Sequence, residues 1–113
     1  MADEQLVGPV EVCLSAGVEP QPSAPTDKLG LSRSARTEAP IHGLRVRPTP
    51  GTSGWYVWAG EMSEDESFFE PSHICHVPSV CPLALPFLSL PPGWRFLTDG
   101  VYVDVWFDPG LEL

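Results

Sequence analysis

Trp94-Arg-Phe-Leu-Thr-Asp-Gly-Val-Tyr-Val-Asp-Val-Trp-Phe107 places two apolar runs on either side of the pair Asp99-Gly100. An Asp-Gly pair between such runs is the strongest short-range signal for a β-hairpin, because glycine readily adopts the positive φ that a tight turn needs. Alternation along the second run puts Val105 on one face of its strand and Trp106 on the other. The stretch therefore predicts two antiparallel strands joined by a turn.

The hairpin lies in the part of the chain that holds every aromatic ring. The four Trp, two Tyr and five Phe residues all fall between Trp55 and Phe107. Rings supply much of the packing energy of a small domain. Trp55-Tyr-Val-Trp-Ala59 is aromatic and β-branched, and predicts a further, buried strand. We expect an α+β domain over residues 51–113, with a small antiparallel sheet and one or two short helices.

Residues 1–50 have a different composition. They contain no aromatic residue and seven of the fourteen prolines. Low hydrophobicity with scattered proline is typical of disorder. We therefore expect residues 1–50 to form a disordered or dispensable tail that precedes the domain.

The charge of the chain is acidic and unevenly distributed. The formal net charge is −9, and residues 53–113 contain a single base, Arg95, beside nine acids. Such a domain repels phosphate backbones, which argues against nucleic-acid binding. It should instead attract a basic protein surface and accelerate the encounter with it.

Other features of the sequence favour a cytoplasmic protein. Three cysteines are too few for a disulfide framework, and reduced thiols fit a cytosolic compartment. The first residues lack the basic and apolar regions of a signal peptide. The longest nearly apolar stretch, residues 80–90, is interrupted by prolines and shorter than the roughly 18 residues of a membrane span. We expect no membrane association.

One cluster has residue types that can ligate zinc, namely His73, Cys75, His76 and Cys81. It lacks the paired CxxC or HxxxH spacing of structural zinc sites, and free cysteines are usually small core residues. A cysteine–histidine nucleophile would need a motif that the chain does not contain. Dinucleotide, P-loop, HExxH and calcium-loop motifs are missing too. We therefore expect a protein without enzymatic activity and without a cofactor, and keep the four residues as weak metal candidates.

The better functional candidate is an acidic segment between Glu61 and Glu70. Carboxylates at this density can mimic a polyanion and occupy a basic cleft. Aromatic rings left beside them on the surface would act as binding hot spots. The alternatives are a solvated loop that keeps the domain soluble, and rings that simply pack in the core. The candidate partner-binding residues are Glu61, Glu64, Asp65, Glu66, Trp58 and Trp106.

Four blocks in order give the chain a resemblance to a known family. They are Gly54-Trp-Tyr-Val-Trp-Ala-Gly-Glu61, Phe68-Phe-Glu-Pro-Ser-His-Ile-Cys-His76, Leu90-Pro-Pro-Gly-Trp-Arg-Phe-Leu97 and Tyr102-Val-Asp-Val-Trp-Phe-Asp108. Over residues 51–113 the chain resembles immunity family thirty-three of the bacterial polymorphic-toxin systems, formerly a domain of unknown function. The resemblance implies a cytosolic protein that binds a cognate toxin and blocks it. It implies no catalytic residue.

The sequence thus predicts an immunity protein whose acidic, aromatic-edged face covers a basic site on a toxin. Two alternatives from other classes stay open. One is a structural or regulatory module that forms a homodimer through its aromatic face. The other, less favoured, is a small zinc-binding protein.

Overall fold

The computed structural model describes residues 9–63, 65 and 67–112. Its centre is a six-stranded sheet with the spatial order β4-β1-β3-β2-β5-β6. The strands are β1 (Lys28–Ser32), β2 (Ile41–Arg45), β3 (Thr52–Ala59), β4 (Phe69–His73), β5 (Trp94–Thr98) and β6 (Val103–Phe107). The α-helices are α1 (Pro9–Ala16) and α2 (Val77–Val80), and 3₁₀ turns cover Ser34–Arg36, Ile74–His76, Pro82–Phe87 and Pro109–Glu112. The α+β class predicted from the sequence is confirmed.

The sheet is antiparallel except at one pair of strands. β3 runs parallel to β1 and antiparallel to β2, so it is inserted between the two strands that precede it in sequence. The aromatic strand predicted at residues 55–59 is the second half of β3. The predicted hairpin is confirmed as β5 and β6, with Gly100 at a φ of 100° in the turn.

The core lies between one face of the sheet and the helical segments. α1 and the segment from α2 to Leu90 pack on the same side of the sheet. There Phe87 stacks on Phe96 with ring centroids 4.4 Å apart, and the indole Nε1 of Trp55 donates to the backbone oxygen of Leu88 at 3.0 Å. The rings of the second half of the chain thus supply the centre of this core.

The expectation that residues 1–50 are a disordered or dispensable tail is wrong for most of that range. β1 and β2 flank the central strand β3 and occupy interior positions of the sheet. Leu29, Leu31 and Ile41 are among the most deeply buried side chains. The folded unit therefore does not begin at residue 51, and only residues 1–8 of the predicted tail lie outside the described residues.

Glycine explains why strands without aromatic residues can sit beside aromatic ones. A Cβ atom on Gly43 in β2 would lie 2.1 Å from the ring of Phe96 in the neighbouring strand. Such a distance is far below van der Waals contact, so the ring packs there only because position 43 has no side chain. The ring of Phe96 in β5 therefore requires a residue without a side chain at position 43 of β2.

Arg45, at the end of β2, is buried with only 3% of its surface exposed. Its guanidinium donates to the backbone oxygens of Ser53 at 2.8 Å, Gln21 at 2.7 Å and Leu90 at 2.8 Å. It also donates to the Ser23 hydroxyl at 3.1 Å. Burial lowers the pKa of Arg45, but a guanidinium stays protonated at neutral pH. One side chain therefore ties together three segments that are distant in sequence.

Replacing Arg45 with Met should destabilise the protein by at least about 2 kcal/mol, because each of the two buried carbonyls left without a donor, those of Ser53 and Leu90, costs about 1–3 kcal/mol. Arg47→Met is the matched control, since Arg47 is exposed two residues further on and surface changes usually stay within about 0.5 kcal/mol. Urea denaturation followed by tryptophan fluorescence measures both. Equal midpoints for the two variants would contradict the role given to Arg45.

Gly100→Val should destabilise the hairpin by roughly 1–3 kcal/mol, the range for strain at an unusual backbone position. The reason is the positive φ of Gly100, which a β-branched residue does not tolerate. Gly100→Asn is the control, because asparagine accepts positive φ more readily. Thermal unfolding should rank the wild type above Asn and Asn above Val. A Val variant as stable as the wild type would rule out this turn.

Candidate functional site

The side of the sheet that faces away from the helical segments is here called the open face. It follows from the register, which sets alternate residues of each strand on the side opposite to Trp55 and Phe96. The open face thereby receives side chains from all six strands. They include Phe69 and Pro71 (β4), Lys28 and Ser32, which flank Gly30 (β1), Tyr56 and Trp58 (β3), His42 and Leu44 (β2), Arg95 and Leu97 (β5), and Asp104 and Trp106 (β6).

Aromatic rings form a continuous row across half of the open face. The ring of Phe69 contacts Phe68, Tyr56 and Trp58 edge-on, with centroid distances of 4.9, 5.1 and 6.1 Å. Trp58 in turn stacks flat against His42 at 5.3 Å. Burial, and secondarily the charge of Arg95, lowers the pKa of His42. The imidazole is therefore neutral at neutral pH and continues the row as an uncharged ring.

The two tryptophans predicted as anchors both lie on the open face, but they differ in exposure. Trp58 is only 5% exposed, because His42 and Phe69 cover it. Trp106 lies on the edge strand β6, is 37% exposed, and has the guanidinium of Arg95 over its ring at 5.8 Å. Trp106 can touch a partner directly, whereas Trp58 supports the rings around it.

The acidic segment connects β3 to β4 at the end of the sheet next to Trp58. Glu61 and Asp65 are exposed, and Glu64 and Glu66 lie outside the described residues. The backbone N–H and the hydroxyl of Ser67 both donate to the Asp65 carboxylate at 2.8 Å. These two hydrogen bonds lower the pKa of Asp65, which keeps a negative charge at the border of the open face.

The acids are better paired than the sequence suggested. Counting only Arg95 against the nine acids of residues 53–113 overlooked bases from the first half of the chain. Arg33 and Arg36 contact the carboxylate of Glu70 at 2.8 and 3.7 Å. Arg95 itself pairs with Asp108 at 3.1 Å. Glu70 is thus partly neutralised, whereas Glu61 and Asp65 form no ion pair with a described residue.

A groove at the opposite end of the open face was missed by the sequence reasoning. It has a volume of about 360 Å³ and contains two bases, Lys28 and Arg47, near the rings of Tyr56 and Phe69. Its floor includes Gly30, where a Cβ would come within 2.7 Å of the Tyr56 ring. The bases come from the segment assigned to the tail, so no signal pointed to them once that segment had been set aside.

The candidate metal ligands are only partly brought together. The rings of His73 and His76 lie 5.5 Å apart. Cys81 is buried on the helical side, where its thiol donates to the backbone oxygen of Ala35 at 3.3 Å. Among the described residues, no group of three or more His, Cys, Asp or Glu side chains could hold a metal ion. The four-residue zinc cluster is therefore not assembled in this part of the chain.

The three cysteines should differ sharply in reactivity. Cys75 is exposed, whereas Cys13 and Cys81 are buried, and burial raises the pKa of both buried thiols. Because the thiolate is the reactive form, a thiol reagent should modify one cysteine in the native protein and all three after denaturation. Mass spectrometry of the labelled protein identifies the site, and Cys75→Ser is the control. Native labelling at Cys81 would contradict its burial.

These features define a small two-layer α+β protein, with helices on one face of its sheet and an aromatic, acid-bordered surface on the other. The family model described as the Imm33-like domain matches residues 9–108. The chain belongs to that family, and the match begins well before residue 51, where the resemblance seen in the sequence began. No curated protein and no solved structure matches the chain. None of the helices in its described part has the length and apolar character needed to cross a membrane.

Proposed function

We propose that this protein neutralises a cognate, basic toxin by binding and occluding it with the open face. The family name supports an immunity role in general. The observation that carries the proposal is the row of rings on the open face, which ends beside the exposed acids Glu61 and Asp65. In this proposal the protein acts in the cytoplasm, binds no nucleic acid, and blocks the toxin without catalysis.

The aromatic part of the open face would supply the contact area. Aromatic anchors contribute most of the binding energy in many interfaces, because they bury large, rigid surfaces. Tyr56 and Trp106 are 39% and 37% exposed, so each retains surface that a partner can cover. Trp58 would act indirectly, since it holds Phe69 and His42 in place.

The acidic segment would steer the toxin toward this surface. Exposed carboxylates raise the rate of encounter with a basic partner more than they strengthen the final complex. The hydrogen bonds from Ser67 keep Asp65 ionised. Glu64 and Glu66 are neighbours of Asp65 in sequence, and we assign them the same role.

The experiment measures surface-plasmon kinetics against the protein encoded by the adjacent gene, the toxin candidate. The double variant Glu61→Gln, Asp65→Asn should lower the association rate several-fold at low salt. This difference should shrink near about 150 mM salt, where exposed charges are screened beyond roughly 8 Å. The matched control is Glu19→Gln, Glu38→Gln, which removes two exposed acids outside the acidic segment. Equal effects of both pairs would leave only the net charge as an explanation.

A second comparison tests the contact surface. Trp106→Ala should raise the dissociation rate at least about tenfold, because truncating a hot-spot ring typically costs 2 kcal/mol or more. Leu85→Ala is the control, since Leu85 is 38% exposed in the 3₁₀ turn Pro82–Phe87 and does not belong to the open face. Circular dichroism verifies that both variants fold. If the dissociation rate of the toxin candidate is unchanged by Trp106→Ala, the toxin binds elsewhere on the protein.

A further inference from the structure

β6 is an edge strand that exposes apolar side chains on both of its faces. Val103 and Phe107 lie on the helical side and are 54% and 44% exposed, while Trp106 lies on the open face. Within the described part of the chain, β6 pairs with β5 and with no other strand. A regular apolar edge is a template for pairing with another strand, and natural proteins usually protect such edges.

The two edges of the sheet differ in this respect. The opposite edge strand, β4, has Pro71 at its centre, and proline on an edge removes a backbone donor and discourages pairing. β6 contains no proline, glycine or lysine, and it pairs with β5 over five consecutive residues without a bulge. The unprotected edge is therefore β6.

The backbone groups on the outer edge of β6 follow from its pairing with β5. At one end of the hairpin the backbone N–H of Asp108 donates to the backbone oxygen of Gly93 at 2.7 Å. At the other end the backbone N–H of Asp99 donates to the backbone oxygen of Tyr102 at 3.3 Å. Antiparallel pairs alternate between hydrogen-bonded and non-hydrogen-bonded positions. Even-numbered residues of β6 thus bond to β5, and the outward N–H and C=O groups belong to Val103, Val105 and Phe107.

We propose that this edge pairs with β6 of a second copy of the chain, antiparallel and centred on Val105. Outward-facing residues must pair with outward-facing residues, so Val105 meets its own counterpart and Val103 meets Phe107. On the helical side every pair is then apolar, and on the open face Asp104 lies opposite Trp106. Cross-strand pairs of these types are favourable or neutral.

The neighbouring registers are disfavoured by charge. The smallest shift that keeps outward-facing residues paired is two residues. In one direction this shift places Asp104 opposite Asp104 of the second copy, and in the other direction it places Asp104 opposite Asp108. Like charges directly opposite each other destabilise a strand pair. An antiparallel pairing of two identical strands is two-fold symmetric, as most dimers of identical chains are. It joins two six-stranded sheets and leaves both open faces on the same side.

The first test is the mass of the protein alone, measured by sedimentation equilibrium over a range of concentrations. The wild type should approach twice the monomer mass of 12.3 kDa as concentration rises. Val105→Lys should remain monomeric, because it places two positive charges at the two-fold axis while the bonds to β5 stay intact. Val101→Lys is the matched control, since Val101 is 94% exposed just before β6. It should dimerise like the wild type.

Two outcomes of this test would overturn the proposal: a wild type that stays monomeric at all concentrations, or two lysine variants that behave alike. If the wild type is monomeric and Val105→Lys weakens binding to the product of the adjacent gene, the edge belongs to that partner. Circular dichroism of Val105→Lys separates lost pairing from lost folding.

The register has its own test, in a Cys75→Ser background that removes the exposed native thiol. Val105→Cys should form a covalent dimer under mild oxidation, because Cα atoms of a hydrogen-bonded pair lie about 5.5 Å apart, within disulfide range. Asp104→Cys should not, since its counterpart is a diagonal neighbour at about 7–8 Å. Cross-linking at position 104 and not at 105, or at neither, would overturn the proposed register.

Discussion

The hydrogen bonds of the buried Arg45 guanidinium hold together three parts of the chain that are distant in sequence. They reach Gln21 before β1, Ser53 at the start of β3, and Leu90 after the helical segment. A charge removed from water is tolerated only when its donors are satisfied, because an unpaired buried polar group is costly. Here backbone oxygens and one hydroxyl satisfy it, and no ion pair with a described carboxylate contributes. Shifting any one of the three segments would leave one N–H of the guanidinium and one carbonyl without a partner.

This network explains why the aromatic-poor and aromatic-rich halves fold as one unit. The backbone oxygen of Arg45 also accepts a hydrogen bond from Gly93 at 2.7 Å, so β2 fixes the start of β5. Gly43, two residues earlier, leaves the space in which the ring of Phe96 packs. Phe87 then stacks on that ring. Dividing the chain into an aromatic-poor and an aromatic-rich half therefore separates residues that depend on one another for packing.

The parts of the fold that sequence reasoning could predict are those encoded locally. The hairpin follows from Asp99-Gly100 and its flanking apolar runs, and β3 follows from its dense β-branched and aromatic residues. β1 and β2 are short, and each carries a glycine at its centre. Their stability comes from neighbouring strands and from Arg45, and a local pattern does not contain that information.

For the candidate site too, the sequence predicts what is encoded locally and misses what depends on distant residues. Alternation along the strands predicts which side chains share a face, but it does not show what covers that face. Trp58 and Trp106 therefore looked equivalent in the sequence, although two rings cover Trp58 and leave it 5% exposed. The pairing of Glu70 with Arg33 and Arg36 was equally invisible, because it joins residues more than thirty positions apart.

The placement of the six bases gives the open face a polarity that the net charge of −9 conceals. Arg45 is buried, and Arg33, Arg36 and Arg95 are engaged with carboxylates. Lys28 and Arg47 form no ion pair with a described residue, and they line the groove at the end of the face where β3 begins. The exposed acids lie where β3 ends. Complementary charge fixes the orientation of a partner as well as its rate of approach, so in the proposed complex a basic toxin would lie over the end of the face next to Trp58 and avoid the groove.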